Sequence, residues 1–330
     1  MNKNIFTKSK LLNKSISYLN SNNSISNFMG YTMTMNMMNF KLRQAISNVS
    51  DKNIRTFQIN SGSKMIPHYK KKETGGEDSF LVFEDLIMVA DGVGGWAGKG
   101  VDPGLFSREL RDHVKEEYDK RRNYNIDEME IKSSLVEAVK KTKSKGSSTI
   151  AMLLLNQNTK KLIATYVGDS LYMILRYNDT KDSFELYYKS SEQQHKFNQP
   201  FQVGTNGDSP NLAIIESHDI RDKDIVIVAS DGLWDNIYDD MIISIINEKV
   251  KYLDGMLNDC EETADFLAQL AEKYSRDINY ESPFAKRAKS KGYQYYGGKE
   301  DDITIVISQI KQINTEGDSD LKKVESEDMY

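Results

Sequence analysis

Val89-Ala90-Asp91-Gly92-Val93-Gly94-Gly95-Trp96 carries an apolar run into an acidic residue and then into glycine, and the design recurs elsewhere in the chain. Ala229-Ser230-Asp231-Gly232-Leu233-Trp234-Asp235-Asn236 repeats it after a second apolar run. Gly76-Glu77-Asp78 and Lys299-Glu300-Asp301-Asp302 reverse it, setting carboxylates just before Ser79-Phe80-Leu81-Val82 and Ile303-Thr304-Ile305-Val306. Short apolar, β-branched runs bounded by turn residues read as strands. A carboxylate at the mouth of a buried strand is costly unless it is paired or holds a metal. One Asp-Gly pair is an ordinary turn. Four such clusters together call for a cation. Hard divalent ions such as Mg²⁺ and Mn²⁺ take oxygen ligands in octahedral geometry and retain waters, so few carboxylates per ion suffice. Two of them about 3.5–4 Å apart can share and activate a water that attacks a phosphate ester. Glycine after Asp91 and Asp231 lets the backbone come close enough for a carbonyl to join the ligands.

Working outward, strands are expected over residues 80–83, 86–90, 149–155, 162–167, 171–176, 184–188, 212–215, 224–229 and 303–310. Asp102 caps a helix that starts at Pro103 and runs to about Tyr118. Further helices are expected over 126–143, 238–252 and 261–276. Strands come in consecutive runs and helices in pairs, which favours an α+β layered fold over an alternating parallel one. Residues 277–300 lose the pattern in favour of Tyr, Gly, Lys and Arg. Such a segment either borders a functional cleft or packs as a loop against the edge of the fold.

The 330 residues suit one such domain with tails, giving a targeting segment over 1–55, the domain over 56–313 and an acidic flexible tail over 314–330. With 44 basic and 49 acidic residues and a net charge of -5, no basic domain exists to recruit nucleic acid. Cys260 is the single cysteine, which excludes an internal disulfide framework and a cysteine-based zinc site. No apolar run reaches the ~18 residues of a membrane span. Before Asp51 there is no acidic residue, while Lys3, Lys10 and Lys14 project opposite Ile5, Leu12 and Ile16 on a helical wheel. That composition is that of a mitochondrial transit peptide, set against the alternative of an Asn-rich low-complexity tail.

Glu77-Asp78, Asp91-Gly92-x-Gly94-Gly95, Gly146-Ser147-Ser148-Thr149, Gly168-Asp169-Ser170, Asp231-Gly232-Leu233-Trp234-Asp235 and Asp301-Asp302-Ile303-Thr304 follow one another in a specific order. In this the chain resembles the metal-dependent protein phosphatases of type 2C from Gly75 to Ile310. Val89 to Trp96, Ser191-Glu192-Gln193-Gln194-His195, Phe197-Asn198-x-Pro200-Phe201-Gln202 and Ser282-Pro283-Phe284-Ala285 look like the mitochondrial branch of that family. The resemblance implies a four-layer αββα sandwich of two antiparallel sheets with metals at one end. It implies that Asp91 bridges two Mg²⁺ or Mn²⁺ ions, that the Gly92 carbonyl binds the second, and that Asp231 and Asp301 bind the first. Glu77 and Asp78 would hold waters, and a weaker third ion would use Asp169, Asp231 and Asp235. The catalytic carboxylates are then Asp91, Asp231 and Asp301, the substrates are phosphoproteins, and the protein is expected to be a monomer.

Two departures stand out. Many relatives carry a histidine proposed as general acid where this chain has Val93, which donates no proton. His195 is an alternative donor or an organiser of local structure. The family's phosphate-clamping arginine is not evident either. Lys70, Lys71 and Lys72 occupy its neighbourhood, either supplying charge to the substrate phosphate or forming a solvated loop. Gly146 to Thr149 leads into a strand and is expected to pack inside rather than cradle phosphate. The competing functional classes are a catalytically weak relative that binds phosphoproteins and a small-molecule phosphohydrolase. Retention of every carboxylate argues against the first, since carboxylates without a metal repel one another. The absence of a Gly-rich base or phosphate pocket argues against the second.

Overall fold

The computed structural model describes residues 55–314 apart from 123–125 and 251–252. The basic segment and the acidic tail expected at the two ends lie outside the described residues. The strands are β1 (Arg55–Ile66), β2 (Asp78–Val82), β3 (Leu86–Asp91), β4 (Ser147–Ser148), β5 (Ile150–Asn156), β6 (Lys161–Val167) and β7 (Leu171–Asn178). They continue as β8 (Ser183–Lys189), β9 (Gln194–Lys196), β10 (Gln199–Pro200), β11 (Val203–Gly204), β12 (Ile214–Asp219), β13 (Ile225–Ala229) and β14 (Ile303–Asn314). The helices are α1 (Pro103–Arg121), α2 (Glu128–Lys141), α3 (Asp239–Val250), α4 (Cys260–Ser275) and α5 (Pro283–Ser290), with a single helical turn at Asp231–Trp234.

Period-two alternation builds the layers. In β3, Ile87 and Val89 face one way and Leu86, Met88 and Ala90 the other, and all five are buried. The first pair joins Tyr166, Tyr172, Val226, Val228 and Val306 in a core between two sheets. The second set packs against Phe106 and Leu110 of α1 and Leu135 of α2. In β13 the pattern mirrors this: Val226 and Val228 face the central core, while Ile225, Ile227 and Ala229 meet Ile242, Ile246 and Leu267 of α3 and α4. The sheets run β12-β6-β5-β3-β2 and β1-β14-β13-β7-β8, each with antiparallel pairings throughout. The result is the expected α+β sandwich of helix, sheet, sheet and helix layers. A one-residue slip of β3 would swap its two faces, so the double burial fixes the register and with it the position of Asp91.

Besides the short strands β9, β10 and β11, which were not expected, three differences from expectation have a clear cause. β1 was not expected as a strand, because its pattern is broken by Ser61, Gly62, Ser63 and Lys64. Gly62 is there because the first turn of α4 presses on it: a Cβ would stand 2.0 Å from Glu261 N. Leu212 belongs to a 3-10 turn begun by Ser209 and Pro210 and is exposed, so β12 starts at Ile214 rather than at Leu212. Finally, the patternless 277–300 segment contains α5, capped by the Ser282 side chain with Pro283 at its first position.

Candidate metal centre

Chain topology brings the carboxylates together. Antiparallel pairing sets Asp78, the first residue of β2, opposite Asp91, the last of β3. Ala229 at the end of β13 pairs with Ile305 near the start of β14, so Asp231 just beyond one strand lies near Asp301 and Asp302 just before the other. Asp169 sits in the connection between β6 and β7, which opens at the same end of the sandwich. Asp78, Asp231, Asp301 and Asp169 all act electrostatically on Asp91, which burial and then these neighbours hold well above the usual carboxylate range.

Ser230 stitches the two sheets together here. Its hydroxyl donates to Asp78 Oδ2 at 2.8 Å and accepts from Thr304 N at 3.0 Å. Asp302 organises the neighbouring loop, accepting from His68 N at 2.6 Å, Glu77 N at 2.9 Å and Lys71 Nζ at 3.0 Å. The glycines after Asp91 and Asp231 are required by close approach: a Cβ on Gly92 would lie 2.6 Å from the Glu77 carbonyl oxygen, and one on Gly232 would lie 2.1 Å from that of Asp302. Gly92 N–H donates to the Glu77 carbonyl at 3.1 Å, tying the Glu77-Asp78 and Asp91-Gly92 motifs into one backbone unit. Ser147 and Ser148 are buried, and Thr149 N–H donates to the Asp91 carbonyl at 2.9 Å, so this motif packs inside as expected.

The centre is strongly acidic. Burial first, then Asp302, pushes Asp78 up to about 8. Burial likewise raises Glu77, Asp169, Asp231 and Asp301. Two lysines offset part of this charge. Lys71 Nζ lies 2.6 Å from Glu77 Oε2 and 3.5 Å from Asp301 Oδ1. Lys299 Nζ bonds Asp231 and lies 2.6 Å from Asp235 Oδ2. Burial pulls both ammonium groups down, but the surrounding carboxylates outweigh it and hold them above the ordinary lysine value.

The residues fit a hard divalent cation. Every candidate side-chain donor is a carboxylate oxygen, and Asp78 Oδ1 and Asp231 Oδ1 are buried with no hydrogen-bond partner among the described residues. A buried carboxylate oxygen left without a donor is costly, and a cation would remove that cost. Among the described residues no three His, Cys, Asp or Glu side chains converge closely enough to grip an ion as they stand. The two ammonium groups lie among the carboxylates instead.

Of the three candidate phosphate-binding lysines, only Lys71 reaches the centre. Lys70 is exposed, its ammonium over the Tyr69 ring, and Lys72 is exposed at the end of the 3-10 turn Tyr69–Lys71. Both point to solvent because that turn presents one of three successive side chains inward. His195 is exposed; it bonds Asp208 at 3.0 Å and stacks on Phe201, which gives it a structural role. Val93 precedes a 3-10 segment and brings no titratable group. Two residues escaped the sequence reading as parts of the centre: Lys299, and Arg287 of α5, whose guanidinium bonds Asp235 Oδ1. Lys299 opens the Lys299-Glu300-Asp301-Asp302 cluster without being read as part of its chemistry, and Arg287 lies in no carboxylate motif. Arg287, Phe197, Trp234 and Phe284 wall a narrow cleft beside Asp169, Asp231 and Asp235.

An antiparallel αββα sandwich that gathers carboxylates at one end is a scaffold for divalent cations. No protein-family model matches the chain. It is 34% identical over 268 residues to "Probable protein phosphatase 2C 1" of Oryza sativa subsp. japonica, covering 76% of this chain and 75% of that protein. It is 37% identical over 262 residues to "Probable protein phosphatase 2C 80" of Arabidopsis thaliana, covering 78% of this chain. The chain spans 60% of that relative's length and 54% of that of "Probable protein phosphatase 2C 55" from the same plant. The X-ray structure of the photosystem II phosphatase PBCP matches with a TM-score of 0.68 at 33% identity, covering 77% of this chain and 99% of that one. The catalytic domain of the serine threonine protein phosphatase PstP, solved with two manganese ions, shares the fold with a TM-score of 0.55 at 14% identity, covering 78% of this chain and all of that one. The chain belongs to the protein phosphatase 2C family.

Proposed function

We propose that this protein is a metal-dependent phosphatase that hydrolyses phosphoserine and phosphothreonine in proteins, acting as a monomer. The observation that carries the reading is the gathering of Asp78, Asp91, Asp231 and Asp301, with two buried oxygens among them that meet no donor among the described residues. Asp91, the Gly92 carbonyl, Asp231 and Asp301 would hold two Mg²⁺ or Mn²⁺ ions, and Glu77 and Asp78 would hold waters at that centre. When bound, such ions lower the pKa of water and neutralise charge on a phosphoryl group. Asp302 fixes the loop that carries Glu77, and Lys71, engaged by Glu77 and Asp302, limits the repulsion between them. The cleft walled by Phe197, Trp234, Phe284 and Arg287 takes the polypeptide flanking the phosphorylated residue.

A covalent phosphocysteine route is disfavoured by chemistry. Cys260 is buried, and burial pushes its thiol up to about 11, leaving almost no thiolate at neutral pH. The acid-poor basic leader is proposed to direct the protein to mitochondria, a reading supported by its composition and by the motifs that look like the mitochondrial branch. The experiment for the activity is release of phosphate from a phosphothreonine peptide with and without Mn²⁺, run beside a small aryl phosphate. A clear preference for the small ester would favour the small-molecule phosphohydrolase. Mn²⁺ binding without turnover of either would favour a phosphoprotein-binding relative.

A further inference from the structure

Lys299 stands where the family resemblance places a third divalent ion. The ligands of that position would be Asp169, Asp231 and Asp235. Here the Lys299 ammonium lies 2.6 Å from Asp235 Oδ2, bonds Asp231 Oδ2 and lies 3.7 Å from Asp301 Oδ2. The other oxygen of Asp235, Oδ1, accepts from the Arg287 guanidinium. Both oxygens of Asp235 therefore face fixed cations, and neither is left for a metal. Asp231 divides differently: Oδ2 meets the lysine, while Oδ1 is buried without a hydrogen-bond partner among the described residues and remains available to the two-ion centre.

The lysine is anchored from its backbone outward. Its N–H donates to Asn236 Oδ1 at 2.9 Å, and its carbonyl accepts from Asn236 Nδ2 at 2.9 Å. Asn236 is fully buried and also donates to the Gly232 carbonyl, so the loop bearing Lys299 is fastened to the turn bearing Asp231. The preceding Gly298 presses against the end of α4, where a Cβ would come 2.0 Å from the Tyr274 carbonyl oxygen. The ammonium lies 5.1 Å from the centre of the Phe284 ring, which limits its access to solvent.

We infer that Lys299 is a built-in cation that occupies the third position, so that the protein holds two divalent ions and no third. The inference rests on the two-metal reading proposed above. A divalent ion at that position would have to expel an ammonium bonded to two carboxylates or sit against it with like charge, and both are unfavourable in a poorly solvated site. Lys299 and Arg287 thus offset two of the three charges of the Asp169, Asp231 and Asp235 cluster without metal, and the two ions would be held by Asp91, the Gly92 carbonyl, Asp231 and Asp301.

The test is the number of Mn²⁺ ions bound by the full chain at saturation, measured by equilibrium dialysis with elemental analysis. Two per chain are expected for the wild type and for Lys299→Arg, and three for Lys299→Ala, which frees one oxygen each of Asp231 and Asp235. Three ions on the wild type, or two on a folded Lys299→Ala protein, would overturn the inference. Absence of bound Mn²⁺ on the wild type would instead overturn the two-metal reading and the inference with it. Should Lys299→Ala fail to fold by circular dichroism, anomalous scattering from Mn²⁺-soaked wild-type crystals decides. Two peaks with the ammonium still between Asp231 and Asp235 support it, and a third peak there overturns it.

Discussion

Asp78 and Asp91 face each other across the antiparallel register of β2 and β3, at the end of a strand pair whose other residues are largely buried. Two carboxylates in that relationship repel unless a cation lies between or beside them. The strain has a measurable sign. In EDTA, Asp91→Asn should raise the melting temperature by a few degrees, because it removes a carboxyl whose ionised form burial and the acidic neighbours disfavour; a relief of about 1 kcal/mol corresponds to roughly 2–4 °C in a domain of this size. With Mn²⁺ present the order should reverse, because a ligand that binds only the folded state adds stability in proportion to its affinity. Phosphatase activity of Asp91→Asn and Asp231→Asn should fall by about 10²-fold or more. Near-normal turnover with metal present would remove both residues from the centre.

Arg287 joins α5 to Asp235 at the cleft wall, whereas Lys289 is mostly exposed. Arg287→Ala should therefore raise KM for a phosphoprotein more than for a small aryl phosphate, and Lys289→Ala should change neither. Equal losses on both substrates after Arg287→Ala would show that the arginine supports the metal cluster rather than the polypeptide.

Cys260 Sγ donates to the Asn60 carbonyl at 3.3 Å under β1, and burial pushes the thiol up to about 11. At pH 8 its thiolate population falls about 10²-fold below that of a free cysteine with a pKa near 8.5, so iodoacetamide labelling should slow by a similar factor. Because the folded value lies above the unfolded one, stability from this group is complete below about pH 8.5 and is lost as pH rises towards 11. Rapid labelling of the native protein, with loss of activity, would contradict both the burial and the non-nucleophilic role.

Much of this organisation was legible in the sequence because burial on both faces leaves a plain apolar signature, as in 86–90 and 225–229, and because each run abuts a carboxylate motif. β1 was not legible: a strand with Gly62 and Ser63 at its middle owes its place to pairing with β14, from Arg55 opposite Asn314 to Ile66 opposite Ile303. α5 carried its signal in Ser282-Pro283, but the surrounding Tyr, Gly and Lys hid it. At the centre, the carboxylates announced themselves by repetition, whereas Lys299 and Arg287 did not. A single cation has no motif, and its partner across the fold is known only once distant segments meet.

For location, a fluorescent protein fused after residue 55 should enter mitochondria, because the basic face of Lys3, Lys10 and Lys14 suits import towards a negative interior. Replacing those three lysines with glutamate should leave the fusion in the cytosol. A wild-type fusion that stays cytosolic would remove the targeting proposal and leave the metal centre untouched.

The most direct measurement is phosphate release from a phosphothreonine peptide by the protein stripped with EDTA and then supplied with single cations. Mn²⁺ or Mg²⁺ should restore turnover, while Ca²⁺, larger and less demanding of octahedral geometry, should bind and support little. Turnover that persists in EDTA, or that Ca²⁺ restores as well as Mn²⁺ does, would contradict a centre built from Asp91, Asp231 and Asp301.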